Sequence, residues 1–166
     1  MGINFLAILV AALCTLPIGF IYYHKAVFGG AWMRMIGKTE AELMPKSMVL
    51  QLLVSVIFAF LIAFAEQFQV IHQMHIFSLM ADDPTLMVPG SDANNELMGL
   101  MAKFGDKFRT FGHGAFHGVL TGVFFVLPIL GVTNLYERRS FKLTLVQAGY
   151  WIITLAVMGG VICAWR

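Results

Sequence analysis

Apolar residues in this chain gather in long runs separated by brief polar stretches, not in the short alternations of a soluble helix or strand. The first run, Ile3 to Tyr23, carries no charge. It ends at Tyr22-Tyr23-His24-Lys25, an aromatic pair followed by a cation, which is how a helix leaves the hydrocarbon of a membrane. No basic residue precedes it and no small-residue cleavage site follows, so a retained span is expected here, not a removed signal peptide. Gly29-Gly30 then break the chain, and Thr39-Glu40-Ala41-Glu42 has the spacing of a capping box, predicting a short interfacial helix before Pro45.

In the second run, Met48 to Ala81, Glu66 is the one formally charged residue. A helix of that length reaches roughly 50 Å, against a hydrocarbon core of about 30 Å. The polar residues say where the excess lies. Glu66, Gln67, Gln69, His72, Gln73 and His75 all fall in the second half, so that half is expected to project beyond the bilayer. The stretch from Asp82-Asp83-Pro84 to Pro89-Gly90-Ser91-Asp92 is turn-rich. After it Leu97, Leu100, Met101, Phe104 and Phe108 recur at helical spacing with Lys103, Asp106, Lys107 and Arg109 between them, an amphipathic helix that can pack back along the projecting end.

Two further runs complete the pattern, on either side of the charged loop Glu137-Arg138-Arg139. The expectation is an all-α polytopic membrane protein, a four-helix bundle forming a single membrane domain over residues 1–166. Its spans are expected at about 3–23, 48–68, 112–132 and 143–165, with helices two and three extended into an extracytoplasmic helical hairpin over about 69–111.

Composition agrees. Of 166 residues 59% are hydrophobic and 12% charged, about half the charge of an ordinary soluble domain. A net charge of +2 without a Lys/Arg cluster argues against nucleic-acid binding. Orientation follows from the cations. Lys25, Arg34, Lys38, Lys46, Arg138, Arg139 and Lys142 flank one side, and Lys103, Lys107, Arg109 and Arg166 the other. The positive-inside rule then puts both termini and the long central connection outside. Cys14 and Cys163 stand alone in apolar runs and are expected to be packing residues.

Four histidines converge on the expected outer side. His72 and His75 lie three apart, and His113 and His117 four apart, so each pair shares a helix face. Neutral imidazoles at these spacings suit Zn, Cu or Fe, with Glu66 as a further ligand or a hydrogen-bond acceptor behind one. Met74, Met80, Met98 and Met101 nearby suit soft copper. The same residues also fit an interfacial network that satisfies itself by hydrogen bonds. Glu66 is a second candidate centre. A carboxylate near the membrane boundary must face protein, water or a partner, and with Gln69 and Gln73 it forms a candidate proton or cation site. Gly114, Gly118 and Gly122 make a stripe for close helix approach. Ala59 and Ala63 repeat that spacing in the second span as a possible match, and another subunit is the alternative. Pro128 permits a kink.

No Ser/His/Asp set, nucleophile elbow or phosphate loop is present. Histidine-rich membrane oxygenases need about eight ligands, and five histidines fall short. An N-terminal acylation motif fails at Leu6. The chain is therefore expected not to be an enzyme.

Three stretches together carry a family resemblance. They are Gly29-Gly30-Ala31-Trp32-Met33; Arg109-Thr110-Phe111-Gly112-His113-Gly114-Ala115-Phe116-His117-Gly118; and Asn134-Leu135-Tyr136-Glu137-Arg138-Arg139-Ser140-Phe141-Lys142, leading to Gly149-Tyr150-Trp151 and Met158-Gly159-Gly160. The sequence resembles domain-of-unknown-function family 1761, small bacterial integral membrane proteins. That resemblance implies a multi-pass protein of the bacterial cytoplasmic membrane and brings no reaction, no cofactor and no catalytic residue. Three functional expectations stand side by side: a non-catalytic membrane component that packs in the lipid bilayer with its own copies or with other membrane proteins; a metal- or haem-binding protein built on the four histidines; and a small proton-coupled transporter centred on Glu66.

Overall fold

The computed structural model describes residues 2–166 and contains no strand among them. Four helical stretches are long and apolar enough to cross a membrane: Phe5–Tyr22, Met48–Val70, Phe111–Tyr136 and Phe141–Ala164.

The first comprises α1 (Phe5–Leu13) and α2 (Thr15–Tyr22). They are divided at Cys14, because Pro17 lacks an N–H and its ring crowds the carbonyl one turn back. Asn4 caps α1 by accepting from the Ala7 amide at 3.0 Å. A wide five-residue turn, Lys25–Gly29, leads into α3 (Gly30–Ile36), which stops at Gly37 in the left-handed conformation, φ 68°. The expected capping box is present at α4 (Glu40–Leu43). The Thr39 hydroxyl accepts from the Glu42 amide, and the Glu42 carboxylate accepts from the Thr39 amide.

The second span, α5 (Met48–Val70), ends sooner than the sequence pattern suggests. Ile71 leaves the helical region at φ −105° and ψ 90°, and a separate short helix, α6 (Gln73–Leu79), follows. Consecutive β-branched residues, Val70 and Ile71, are poor helix formers. The turn also swings Gln73 inward, where its Nε2 donates to the carbonyls of Phe104 at 2.7 Å and Lys107 at 2.9 Å. The hairpin is therefore α6 against α7 (Asp92–Phe104), with Phe108 beyond the end of α7.

The third span is α8 (Phe111–Thr121) and α9 (Leu127–Tyr136), joined through a wider turn at Gly122–Val126 just before Pro128. Proline withdraws a backbone donor, and a locally wider helix absorbs the mismatch. This span continues to Tyr136, past its expected end at 132. The fourth span is α10 (Phe141–Ala164).

The packing is small inside and bulky outside. Ala7, Ala11, Ala12, Ala59 and Ala63 are each 2% exposed or less, while Phe20, Val49, Phe58 and Leu61 are more than half exposed on the face that lipid would cover. Helices in a bilayer gain by close approach more than by burying apolar area, and small residues permit that approach. The tightest crossing is α8 on α10. A Cβ added at Gly114 would come within 3 Å of Gly159 and Cys163; at Gly118, of Leu155 and Ala156; at Gly122, of Ile152. The glycine stripe thus docks on the fourth span, not on Ala59 and Ala63. Those two pack with Ile8, Ala11 and Ala12 of the first span.

The up-and-down order brings the start of α1, the end of α5, the start of α8 and the end of α10 to one end of the bundle, the histidine end. Tyr22, Tyr23, Trp32, Tyr150 and Trp151 gather at the other.

Candidate metal centre

The break after α5 positions His72 at the first turn of α6. His113 and His117 project from one face of α8, whose start is capped by Thr110 accepting from the His113 amide at 3.3 Å. Because the glycine face of α8 is pressed onto α10, the face one residue behind it is turned to the α5–α6 junction. Three imidazoles meet there.

Their nearest ring nitrogens all lie within 4.8 Å of one another. The Nε2 atoms of His72 and His113 are 2.8 Å apart, a hydrogen bond in which one ring donates and the other accepts. Ring centroids stand 5.1 Å apart for His72 and His117 and 4.7 Å for His113 and His117. A tetrahedral zinc with nitrogens at about 2.0–2.1 Å holds its ligand atoms about 3.3 Å from one another. Small ring rotations connect the two arrangements. Three imidazoles with an open fourth position form a donor set for Zn, Cu or Fe. Burial, reinforced by the neighbouring His113 and His75, holds His72 below the usual histidine range. The neutral ring is the form that ligates.

Phe108 walls this cluster. Its ring stacks on His113 at 4.8 Å and 18°, and meets His72 edge-on at 6.0 Å. Its backbone is left-handed, φ 65°, a costly conformation for a bulky residue and one that concentrates at functional sites. The segment is held there by bonds to the Phe108 carbonyl from the Thr110 amide at 2.8 Å and the Cys163 thiol at 3.2 Å.

The remaining candidates are placed elsewhere. His75 is exposed and lies outside the three-imidazole group. Glu66 is also outside it. At 1% exposure it is buried against α10, beside Gly159, and neither carboxylate oxygen finds a partner among the described residues. Gln69 accepts from the Thr121 hydroxyl at 2.7 Å, linking α5 to α8, and Gln73 serves the two carbonyls already named. Glu66, Gln69 and Gln73 therefore have separate surroundings and do not form one constellation.

Sequence reasoning passed over Phe108, Gln67 and Arg109 as site residues. Phe108 follows Gly105 and so falls where α7 has already stopped, a breaker that signals a change of period. Gln67 is 1% exposed, which spacing alone does not separate from its exposed neighbour Gln69. Arg109 ties the start of α8 to the end of α10, donating from Nε to the Cys163 carbonyl at 2.8 Å and from the guanidinium to the Trp165 carbonyl.

Four apolar helices packed through small residues, with polar side chains collected at one end, define a polytopic helical membrane protein. The chain belongs to the family described as Protein of unknown function (DUF1761), whose model matches residues 6–163, nearly the whole chain. No curated protein and no solved structure matches it.

Proposed function

We propose that the protein is a non-catalytic transition-metal-binding component of the membrane, with His72, His113 and His117 as ligands. The observation that supports this reading is the convergence of three imidazoles from two separate elements, with their nitrogens within 4.8 Å. Packing alone does not require three histidines to face one another beside a strained phenylalanine. The donor set suits zinc first, since an open three-histidine site is a common zinc arrangement.

A second reading has its own support. The 2.8 Å bond between His72 and His113 is what a metal-free lock between α6 and α8 would use, and a membrane component that only packs and associates would need nothing more. Metal content separates the two. Protein purified in detergent without chelator is expected to carry about one metal ion per chain by elemental analysis, and the stripped protein to take up Co(II) with the visible bands of a tetrahedral site. His117→Ala removes both signals and His75→Ala leaves them. An absence of stoichiometric metal, or uptake unchanged in His117→Ala, would leave the packing lock as the better account. Iron as the metal found, together with a Soret band, would make the ligand haem.

A further inference from the structure

A second site lies at the same end of the bundle, separate from the three imidazoles. A cavity of about 320 Å³ opens between the first turn of α1, the ends of α5 and α10, and the segment after α7. That volume suits a small polar group, at the low end of ordinary ligand pockets. Gln67 lines it. Its side chain is 1% exposed, and its Nε2 finds no acceptor among the described residues. Buried amide donors are seldom left so, and what this one lacks is an oxygen.

The other polar groups on the wall extend that requirement. Arg109 is clamped by its two bonds to the last carbonyls of α10, yet a guanidinium carries five N–H donors in a fixed plane, so the rest remain for a ligand. The first turn of α1, entering the wall at Asn4 and Ala7, presents the positive end of a nine-residue helix. The negative ends of α5 and α10 offset part of that field. Asp106 and Arg166 are also on the wall, loosely paired with each other at 3.8 Å. Two arginines against one carboxylate leave the lining with a formal charge of +1, so it seeks an anion. A phosphodiester, with its single negative charge, matches this. Trp165 and the ends of the spans place the cavity at the membrane boundary, and Ile71, Met74 and Ile162 supply its apolar wall.

We propose that this cavity seats the headgroup of an anionic phospholipid, its phosphate oxygens accepting from Gln67 and Arg109. The lipid would be a resident of the histidine end, bracing α1, α5 and α10 where the glycine stripe does not reach.

Native mass spectrometry and thermal melts of delipidated, chelator-treated protein test it with three probes: phosphatidylethanolamine, phosphatidylglycerol and inorganic phosphate. Using chelated protein makes the outcome independent of the metal reading. Phosphatidylglycerol is expected to bind and raise the melting temperature, phosphatidylethanolamine to bind less well, and inorganic phosphate to do neither. Gln67→Met, close in volume and without the donor, is expected to weaken phosphatidylglycerol about tenfold, the effect of about one hydrogen bond. Arg166→Ala, at an exposed side chain, is expected to fold normally and narrow the preference between the two lipids. Equal stabilisation by inorganic phosphate would overturn the lipid. Unchanged affinity in Gln67→Met would overturn the site, and an unchanged preference in Arg166→Ala would overturn the choice of an anionic lipid.

Discussion

The two ends of this bundle handle buried polarity in opposite ways. At the aromatic end the buried groups close on one another. The Tyr22 hydroxyl donates to the Val146 carbonyl at 2.9 Å, Tyr150 to the Thr15 carbonyl at 3.3 Å, and the Asn134 amide to Thr144 at 3.0 Å and Gln147 at 2.8 Å. At the histidine end, both oxygens of Glu66, Nε2 of Gln67 and Oε1 of Gln73 are buried without partners, and three imidazoles crowd together. A structure optimised only for packing would resemble the aromatic end throughout. Among the described residues the mid-span Thr154 hydroxyl is the one other buried group without a partner, so unmet hydrogen-bonding capacity gathers at the histidine end, where packing alone does not account for the polar groups.

The largest expected effect tests what holds the two ends in register. At Gly118 a side chain would collide with the backbone of α10 at Leu155, whereas at Gly112, on the same helix, an added Cβ meets nothing within 4 Å. Gly118→Leu is expected to cost about 3 kcal/mol by overpacking. Gly112→Leu is expected to be nearly neutral. Unfolding in mixed micelles measures both, and similar losses at the two positions would mean that the α8–α10 crossing is not the spine of the fold.

The next contrast compares the ends directly. Asn134→Ala strands the groups that Asn134 now serves, and is expected to cost about 1–2 kcal/mol. Glu66→Met removes a carboxylate that has no partner, and is expected to stabilise by about 1 kcal/mol or leave stability unchanged. Thermal melts in one detergent settle the ordering. A loss in Glu66→Met as large as that in Asn134→Ala would show that the carboxylate is structurally satisfied and would erase the distinction between the ends.

Much of this contrast is legible in the chain itself, and the illegible part has physical causes. Long uncharged runs report the spans because a bilayer demands about 20 apolar residues in succession, and all four appear. The grouping of Glu66, Gln67, Gln69, His72, Gln73 and His75 locates the polar end, and the i, i+4 spacing of His113 and His117 places both on one face of α8. Spacing does not say which face of α8 meets which helix, since a stripe of glycines fits any smooth partner. That α10 fills it follows from Gly159 and Gly160, whose small size matters only once two helices cross there. The exclusion of His75 depends on the turn at Ile71, a change in two backbone angles that neither a proline nor a glycine announces. Gln67 and Arg109 acquire their roles from three-dimensional neighbours that are distant in sequence, such as Cys163 and Trp165.

The smallest effect belongs to the exposed capping box beyond the aromatic end, where the comparison predicts closure even at the surface. The Thr39 amide, the Thr39 hydroxyl and Lys38 together hold the Glu42 carboxyl below its usual value of 4.5. Between that lowered value and 4.5 the unfolded segment binds more protons than the folded one. The contribution of the box is therefore complete above pH 4.5 and is lost as pH falls through the folded value. The α4 turn is expected to fray over that window while the spans stay folded, read as loss of exchange protection at the amides of Glu42 and Leu43. Thr39→Ala removes the partner and should leave those amides unprotected at every pH. Protection that persists once Glu42 is protonated, or that survives in Thr39→Ala, would mean that the turn is held by contacts other than its cap.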